Sequence, residues 1–589
     1  MAMRIEDYAL IGDCKTAALV GRDGSIDWLC WPRFDSPACF AALLGTPENG
    51  RWQIAPKTPA RAVRRRYRPG TCILETEFET ENGIAALIDF MPPGGGADLV
   101  RIVEGRTGRV DFHTELVIRF NYGASVPWVT RLDEQTHDAI AGPERLVLRT
   151  PVALRGEDLR TVGDFAVAAE DSVSFYLSYG PSFHPAPPPS DPFDALARTE
   201  KYWRDWSGRC PEIGPWSDAV KRSLITLKAL TYAPTGAIIA APTTSLPERI
   251  GGVRNWDYRY CWMRDATFTL LALMHLGYYE EASAWRDWVI RAIAGSPDQI
   301  QIMYGVAGER WLPEMEIPWL PGYEKSRPVR IGNAAFEQLQ LDVIGEVFDA
   351  MTLAHKNGMK ITPRGRSMRP VILEYLAKAW REPDEGIWEV RGPRQHFVHS
   401  KIMAWVAFDR TATEFAAEGS CDEANRWRAL ANEIHAEVCE RGFDRTLNSF
   451  VQAYDSKRLD ASLLLMPKLG FIDASDPRFA GTVAAIERDL RHGDFIYRYV
   501  EKDDFGYPEN SFLVCTFWYI EALARMGGDR RKEALRLYEK VLSARNRHGL
   551  LAEDLDPRTL ELWGNFPQTY CMSGIIDCAL RLAEDVGPA

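Results

Sequence analysis

Apolar and polar residues alternate with a period of two in the first third of the chain. Between Val173 and Tyr179 the odd-numbered positions are apolar, and serine takes most of the positions between them. Two similar runs, 73–78 and 84–90, flank the sequence Glu81-Asn82-Gly83, which favours a hairpin turn. Such alternation indicates strands with one buried face. Several of these runs, separated by Gly, Pro and Asn, predict an antiparallel sandwich.

The apolar period changes to 3.6 residues beyond a proline-rich segment at 181–192. Proline fixes φ and lacks a backbone N–H, so this segment is expected to be an extended, semi-rigid connector. From about Trp216 onward, about twelve segments place apolar residues at i and i+3 or i+4, as amphipathic helices do. Their loops are long and no repeat of fixed length is present, which favours a closed helical barrel over a solenoid. The predicted parts are a sandwich domain at 1–190, a linker helix at 191–215 and a helical barrel at 216–589.

The charge balance excludes several kinds of partner. The 589 residues hold 70 Lys and Arg against 82 Asp and Glu, a net charge of −12. Nucleic acids and anionic membranes are bound by basic surfaces, so neither is expected as a partner.

No run of about 18 apolar residues is present, and the first residues lack the apolar core of a signal peptide. Eleven cysteines are scattered without a CxxC pair, which is typical of reduced thiols in a cytoplasmic protein.

The densest cluster of polar and aromatic residues is the segment 251–265. It contains three arginines, two aspartates and four aromatic residues, and it leads into a predicted helix. Trp262 offers a flat apolar face, while Arg264 and Asp265 offer planar groups that can bind adjacent hydroxyls. This combination suits a sugar site. The alternative is structural, with Asp265 as the N-cap of the helix and the rest as an aromatic-lined loop.

Two acidic residues farther along the chain lie in loops with aromatic neighbours. Glu389 follows Trp388 directly, and an indole that removes water from a carboxyl raises its pKa, as a general acid requires. Glu553 begins the acidic run 553–556, which precedes an aromatic loop at 562–568. Considered alone, Glu389 could be a surface glutamate beside a packing tryptophan, and the acidic run at Glu553 could be a solvated turn. Together they are candidates for the paired carboxylates of glycoside hydrolysis.

Other kinds of chemistry lack support in the sequence. His396 and His399 have helical spacing, but no HExxH motif or Cys/His cluster accompanies them. The chain has no P-loop, no GxGxxG between a strand and a helix, and no GxSxG elbow. We therefore expect neither a metal nor a cofactor.

Four stretches of the chain carry a specific combination of motifs: 8–37, 252–265, 326–333 and 564–568. Together they resemble glycoside hydrolase family 15, which contains glucoamylases and bacterial trehalases. The first stretch resembles the amino-terminal domain of the trehalase-like branch, and the other three resemble signatures of the catalytic domain. The resemblance covers nearly the whole chain. It implies a multidomain β + α fold, an antiparallel β-supersandwich followed by an (α/α)6 barrel, in agreement with the change of period.

The resemblance also implies roles for individual residues. Glu389 matches the general acid and Glu553 the general base of an inverting mechanism at an α-glucosidic bond. The expected substrate-binding residues are Tyr258, Trp262, Arg264, Asp265, Arg330 and Trp388. The acid protonates the leaving oxygen while the base activates a water on the opposite face, which requires carboxyl groups about 6.5–9.5 Å apart. No metal takes part in this scheme.

The substrate is left open among related α-glucosides. The first choice is a glucoamylase-type exo-hydrolase that releases β-D-glucose from the non-reducing end of maltooligosaccharides or isomaltose-like substrates. The alternative is an α,α-trehalase. A more distant one is a disaccharide phosphorylase, which would need a phosphate pocket in place of a base. The segment from Trp28 to Asp35 either helps to close the barrel mouth or packs between the domains. A homo-oligomer is also left open.

Overall fold

The computed structural model describes residues 3–584, and its first fifteen strands form two antiparallel layers. The first layer contains β1 (Ala9–Gly12), β2 (Ala17–Val20), β3 (Ser25–Cys30), β4 (Ala38–Phe40), β5 (Arg51–Pro56), β13 (Leu154–Glu157) and β14 (Arg160–Ala168). The second contains β6 (Ala62–Tyr67), β7 (Leu74–Glu79), β8 (Gly83–Phe90), β10 (Trp128–Arg131), β11 (Thr136–Ala141), β12 (Glu144–Arg149) and β15 (Ser172–Pro181). The longest strand, β9 (Ala97–Val117), belongs to both layers.

Strand β9 joins the two layers because its two halves pair with different partners. Residues 97–108 pair with β8 and β15, whereas residues 109–117 pair with β5 and β14. The crossing needs glycine, since a Cβ added to Gly105 would lie 1.9 Å from the carbonyl oxygen of Ala168. Large apolar side chains such as Trp52 fill the space between the layers. The predicted antiparallel sandwich, with its β7–β8 hairpin, is confirmed.

Thirteen α-helices follow these strands within residues 3–584. The first, α1 (Pro192–Ser207), begins at Asp191, whose side chain accepts from the backbone N–H groups of Phe193 and Asp194. The others are α2 (Ser217–Ala229), α3 (Met263–His275), α4 (Tyr279–Ala292), α5 (Asp342–Lys356), α6 (Pro363–Ala379), α7 (Val398–Ala417), α8 (Cys421–Arg441), α9 (Met466–Leu469), α10 (Pro477–Asp489), α11 (Leu513–Met526), α12 (Gly528–Ser543) and α13 (Thr569–Ala583). Within residues 3–584, none of the helices combines the length and the apolar composition that crossing a bilayer requires.

Six helical segments form a closed inner ring. Helix α3 contacts α5, α5 contacts α7, and α7 contacts a 3₁₀ segment (Ala461–Leu465) that runs into α9. That segment contacts α11, α11 contacts α13, and α13 contacts α3, which closes the ring. Helix α11 is buried continuously from Leu513 to Ala524, as a helix with apolar residues on every face should be. Helices α2, α4, α8 and α12 pack outside on α13, α3, α7 and α11. The predicted (α/α)6 barrel is confirmed.

Candidate active site

A pocket opens at the end of the barrel where the inner helices begin. It encloses about 720 Å³ of space, part of it open to solvent, and its walls come mainly from the segments that precede α3, α5, α7, α11 and α13. Six of the eight predicted site residues line it: Tyr258, Trp262, Arg264, Asp265, Trp388 and Glu389. The other two, Glu553 and Arg330, lie behind its wall.

The extended segment before α3 presents alternate side chains to the pocket and to the sandwich domain. Tyr258 and Trp262 line the pocket, whereas Asp257 and Arg259 point the other way and form a buried ion pair at 2.6 Å. Arg259 Nη1 also donates to the backbone oxygen of Ser36 at 2.8 Å. The sandwich domain therefore supports, from behind, the segment that carries the predicted sugar-binding rings.

The segment from Trp28 to Asp35 packs between the domains. Trp28 Nε1 donates to the backbone oxygen of Pro242 at 2.7 Å, and Asp35 accepts from the backbone N–H of Val306 at 3.3 Å. None of the residues 28–35 is among those that line the pocket. Of the two hypotheses for this segment, closure of the barrel mouth and packing between the domains, these contacts support packing.

Glu389 is held by two side chains of the segment 251–265. Trp262 Nε1 donates to Glu389 Oε1 at 2.7 Å, and Arg264 Nη2 donates to the same oxygen at 3.4 Å. The indole of Trp388 instead donates to Asp460 at 2.9 Å, so the ring bonded to the carboxyl is not that of its chain neighbour. Glu389 has φ +57, a left-handed conformation that is rare outside glycine and common at functional sites. Both donors bind Oε1, and neither binds Oε2.

Asp265 lies in the first turn of α3 with its carboxyl almost fully buried. Helix α3 begins at Met263 after Trp262, and no side chain caps it, so the N-cap interpretation of Asp265 is wrong. Burial raises the pKa of Asp265 to about 6, although the charge of Arg264 opposes the shift. Asp265 Oδ2 has no hydrogen-bond partner among the described residues. Arg264 Nε forms an ion pair with this oxygen at 3.5 Å, and a buried acceptor on the pocket wall that lacks a hydrogen bond is suited to a ligand hydroxyl.

Glu553 lies behind Tyr258 with 1% of its surface exposed. The Tyr258 hydroxyl donates to Glu553 Oε1, while Oε2 has no partner among the described residues. The rings of Tyr258 and Trp262 are 5.3 Å apart. The two predicted catalytic carboxylates are therefore each bonded to one of two adjacent aromatic side chains on the same segment.

A third carboxylate, Glu248, accompanies Glu553 and was not predicted from the sequence. Oxygens of Glu248, Glu553 and Asp554 all lie within 4.8 Å of one another. Burial and the charge of Glu248 raise the pKa of Glu553 above its ordinary value. Converging oxygens of this kind are the ligands that hard cations prefer, but Arg498 supplies a positive charge here through an ion pair with Glu248 at 2.6 Å. The only signal in the sequence was the position of Glu248, just before the segment 251–265.

Substitution Glu248→Gln is expected to move the acidic limb of the kcat/KM profile to lower pH. The charge of Glu248 raises the pKa of Glu553, so its removal lowers that pKa and keeps Glu553 ionised in more acidic solution. The profile is measured between pH 4 and 9, with Glu509→Gln, an exposed carboxylate of a nearby loop, as the matched control. An unchanged or raised midpoint would contradict Glu553 as the base whose ionisation sets this limb.

Arg330 lies beneath the pocket wall. Its guanidinium stacks on Trp256 at 4.7 Å from the ring centroid and donates to the backbone oxygen of Val253 at 2.8 Å. Glu314 lies 3.4 Å away on its other side. In the structure, Arg330 therefore contacts the aromatic wall and not the pocket space.

The mouth of the pocket is formed by residues that the sequence did not single out. Trp256 and Phe505 meet at 4.8 Å between ring centroids, and the guanidinium of Arg391 lies about 5 Å from both rings. An ion pair between Arg254 and Asp503 joins the same two loops. Arg254 and Trp256 belong to the segment 251–265, which the sequence analysis selected as a whole. Arg391, Asp503 and Phe505 come from other loops, and no local sequence pattern predicts the shape of those loops.

The family is decided by a comparison with known proteins. The family model described as Glycosyl hydrolases family 15 matches residues 214–580, more than half of the chain. The chain belongs to glycosyl hydrolase family 15. A second model, described as Trehalase-like, N-terminal, matches residues 1–154. The predicted family resemblance and the prediction of a glycoside hydrolase are confirmed.

Individual members of family 15 match this chain along most of its length. The trehalase of Mycolicibacterium smegmatis is 38% identical, covering 98% of this chain and 91% of that protein. The trehalase of Thermoplasma volcanium is 36% identical, covering 99% and 94%. A crystal structure of a bacterial glucoamylase complexed with acarbose superposes with a TM-score of 0.74 at 12% identity, covering 99% and 94%. At that identity the structural likeness shows the fold alone.

Proposed function

We propose that this family 15 enzyme is an inverting α,α-trehalase that hydrolyses trehalose to two molecules of glucose. The relatives named above are both trehalases, and each aligns with nearly all of this chain. The amino-terminal model described as trehalase-like points the same way. These relatives favour trehalose over the glucoamylase-type substrates that the sequence placed first.

The observation on which the proposal rests most is the set of contacts that joins the loops at the mouth of the pocket. Trp256, Phe505 and Arg391 stack on one another, and Arg254 pairs with Asp503 beside them. These contacts join the loops before α3, α7 and α11 to one another. A sugar chain that continued past a second glucose would have to separate them, whereas a disaccharide needs no such path.

The proposed mechanism assigns one carboxyl to each side of the scissile bond. Protonated Glu389 gives its proton to the glycosidic oxygen as that oxygen leaves. Ionised Glu553 takes a proton from a water that attacks the anomeric carbon from the opposite face, as inversion requires. Arg264 and Asp265 bind remote hydroxyls of the glucose whose anomeric carbon is attacked and so fix its orientation. Tyr258 lies between Glu553 and the pocket, where its hydroxyl holds the carboxylate in position.

Burial beside Glu248 suits the proposed role of Glu553. A carboxylate whose pKa is raised is a stronger base than an exposed one. Arg498 lowers the pKa of Glu553 and opposes the effect of Glu248. Glu248 therefore raises the pKa of Glu553, and Arg498 limits the rise.

Glucose release from a panel of sugars tests the substrate. Trehalose is expected to exceed maltose, isomaltose and maltoheptaose by about 10²-fold in kcat/KM, because a site built for the 1,1-linked glucose leaves polar groups unpaired with the others. Protein carrying Glu389→Gln, purified in parallel, controls for contaminating glucosidases. Equal or faster release from maltoheptaose would favour the glucoamylase-type reaction instead.

The products distinguish the remaining alternatives. Hydrolysis with inversion gives one β-glucose and one α-glucose from each trehalose, which proton NMR resolves before mutarotation. Two α-glucose molecules would contradict inversion, and glucose 1-phosphate formed in phosphate buffer would indicate a phosphorylase. The retention of Glu553 in its predicted motif argues against the phosphorylase.

A cytoplasmic location also stays a prediction. All eleven cysteines are free in the structure, and nine of them are buried. Free, buried thiols are typical of proteins that fold in a reducing compartment.

A further inference from the structure

A second large cavity lies where the sandwich, the linker helix and the barrel meet. It encloses about 1590 Å³ of space, part of it open to solvent, and is lined by the end of β6, the end of α1, helix α2 and the turn 545–549. Seven of its lining residues are Lys or Arg, against one carboxylate, Asp218. We call it the Gly549 cleft, after the glycine of that turn. Its charge is opposite in sign to the net charge of −12 of the whole chain.

Most of the cations in the Gly549 cleft have no carboxylate partner. Arg65, Lys221, Arg222, Arg545 and Arg547 form no ion pair within 4.0 Å among residues 3–584. Their hydrogen bonds and stacking contacts are neutral: Arg65 donates to backbone oxygens, Arg545 donates to that of Leu542, and Arg222 stacks on Tyr67 at 3.9 Å. Elsewhere in the chain arginines pair freely with acids, so this grouping of unpaired cations is distinctive.

The stem of one of these arginines and the guanidinium of another lie beside one glycine. Gly549 has φ +78, and a Cβ added to it would lie 2.9 Å from Arg222 Cγ and 3.7 Å from Arg545 Nη1. The ring of Tyr67 lies under Arg222 and 5.7 Å from the ring of His548. Burial and the charges of Arg65, Arg222 and Arg547 lower the pKa of His548 to about 3. The imidazole is therefore neutral and adds no charge to the cations of the cleft.

We propose that the Gly549 cleft binds an anion with at least two negative charges, of the phosphate class. A guanidinium binds phosphoryl oxygens through paired hydrogen bonds, and the cleft is lined by several arginines that have no carboxylate partner among residues 3–584. The absence of a side chain at Gly549 lets the aliphatic part of Arg222 pack against the turn 545–549. The shared chemistry is the phosphoryl group, whether it belongs to an inorganic anion or to a sugar phosphate. Binding there does not depend on the reaction proposed for the pocket in the barrel.

Calorimetric titration of the full-length protein with inorganic pyrophosphate tests the proposal. We expect saturable binding of one pyrophosphate per chain, and a rise in Tm that sodium chloride at the same ionic strength does not reproduce. Saturating trehalose on the Glu389→Gln protein should leave this binding unchanged, because the cleft and the barrel pocket share no lining residue. Displacement by trehalose, or the absence of saturable binding, would overturn the proposal.

Two variants and a matched control assign the binding to the cleft. Arg545→Gln and Arg547→Gln are each expected to weaken pyrophosphate binding by about 10-fold, the loss typical of one charged hydrogen bond. Arg547 is exposed, so its variant should fold even if that of Arg545 does not. Arg488→Gln removes an exposed arginine of α10 and should bind like the unmodified protein. Equal binding by all three variants would overturn the assignment. Inorganic phosphate and glucose 6-phosphate, titrated in parallel, show which source of the phosphoryl group binds more tightly.

Discussion

Substitution Glu389→Gln is expected to lower kcat for trehalose by about 10³-fold, the contribution of a positioned general acid. The glutamine oxygen can still accept from Trp262 and Arg264, so the side chain should keep its position while losing the proton that it transfers. KM should therefore stay near that of the unmodified enzyme. Steady-state kinetics at the pH optimum measure both parameters.

A substrate that needs no acid separates loss of the proton from loss of the site. Fluoride leaves α-glucosyl fluoride without protonation, so the Glu389→Gln enzyme should release fluoride far better than its activity on trehalose suggests. Glu382→Gln, an exposed carboxylate in the turn before the same loop, should behave like the unmodified enzyme on both substrates. Equal losses on trehalose and on the fluoride would contradict the acid role of Glu389.

Substitution Glu553→Gln is expected to lower kcat by about 10³-fold on trehalose and on α-glucosyl fluoride alike. The base acts on the attacking water, and that step is required whatever group leaves. The Tyr258 hydroxyl can still donate to the glutamine oxygen, so the local packing should persist.

The matched control for Glu553 is Glu561→Gln, which lies in the loop that follows and pairs with Arg4 at 3.1 Å. Its kinetics should be those of the unmodified enzyme. Fluoride release that survives Glu553→Gln would exclude Glu553 as the base. The Glu389→Gln and Glu553→Gln variants are thus expected to differ in fluoride release from α-glucosyl fluoride. This difference tests the assignment of acid and base without a structure of a sugar complex.

The part of the site that lies on one local segment could be predicted from the sequence. Tyr258, Trp262, Arg264 and Asp265 all fall within eight residues, and an extended segment that leads into a helix brings them to one wall. Local patterns were also enough to predict the sandwich and the helical barrel, because strands and helices have different apolar periods. The distance between the two catalytic carboxyls stays a prediction of the mechanism.

Features that depend on tertiary contact could not be predicted in this way. The bond between Tyr258 and Glu553 joins residues 295 positions apart, and Glu248 approaches Glu553 only when the barrel closes. Chain adjacency was misleading at Trp388, since its indole is bonded to Asp460 and that of Trp262 is bonded to Glu389. Phe505 and Asp503 reach the mouth through a loop whose path is set by its contacts with other loops.

The bond from Arg259 to Ser36 has a consequence for how such enzymes diversify. Arg259 is fully buried, and two of its acceptors, the carboxylate of Asp257 and the backbone of Ser36, come from different domains. A barrel recombined with an unrelated amino-terminal partner would leave this guanidinium short of an acceptor directly behind Tyr258. Replacement of the amino-terminal half would therefore require a compensating change at Arg259, so residues on the two sides of this contact are expected to vary together.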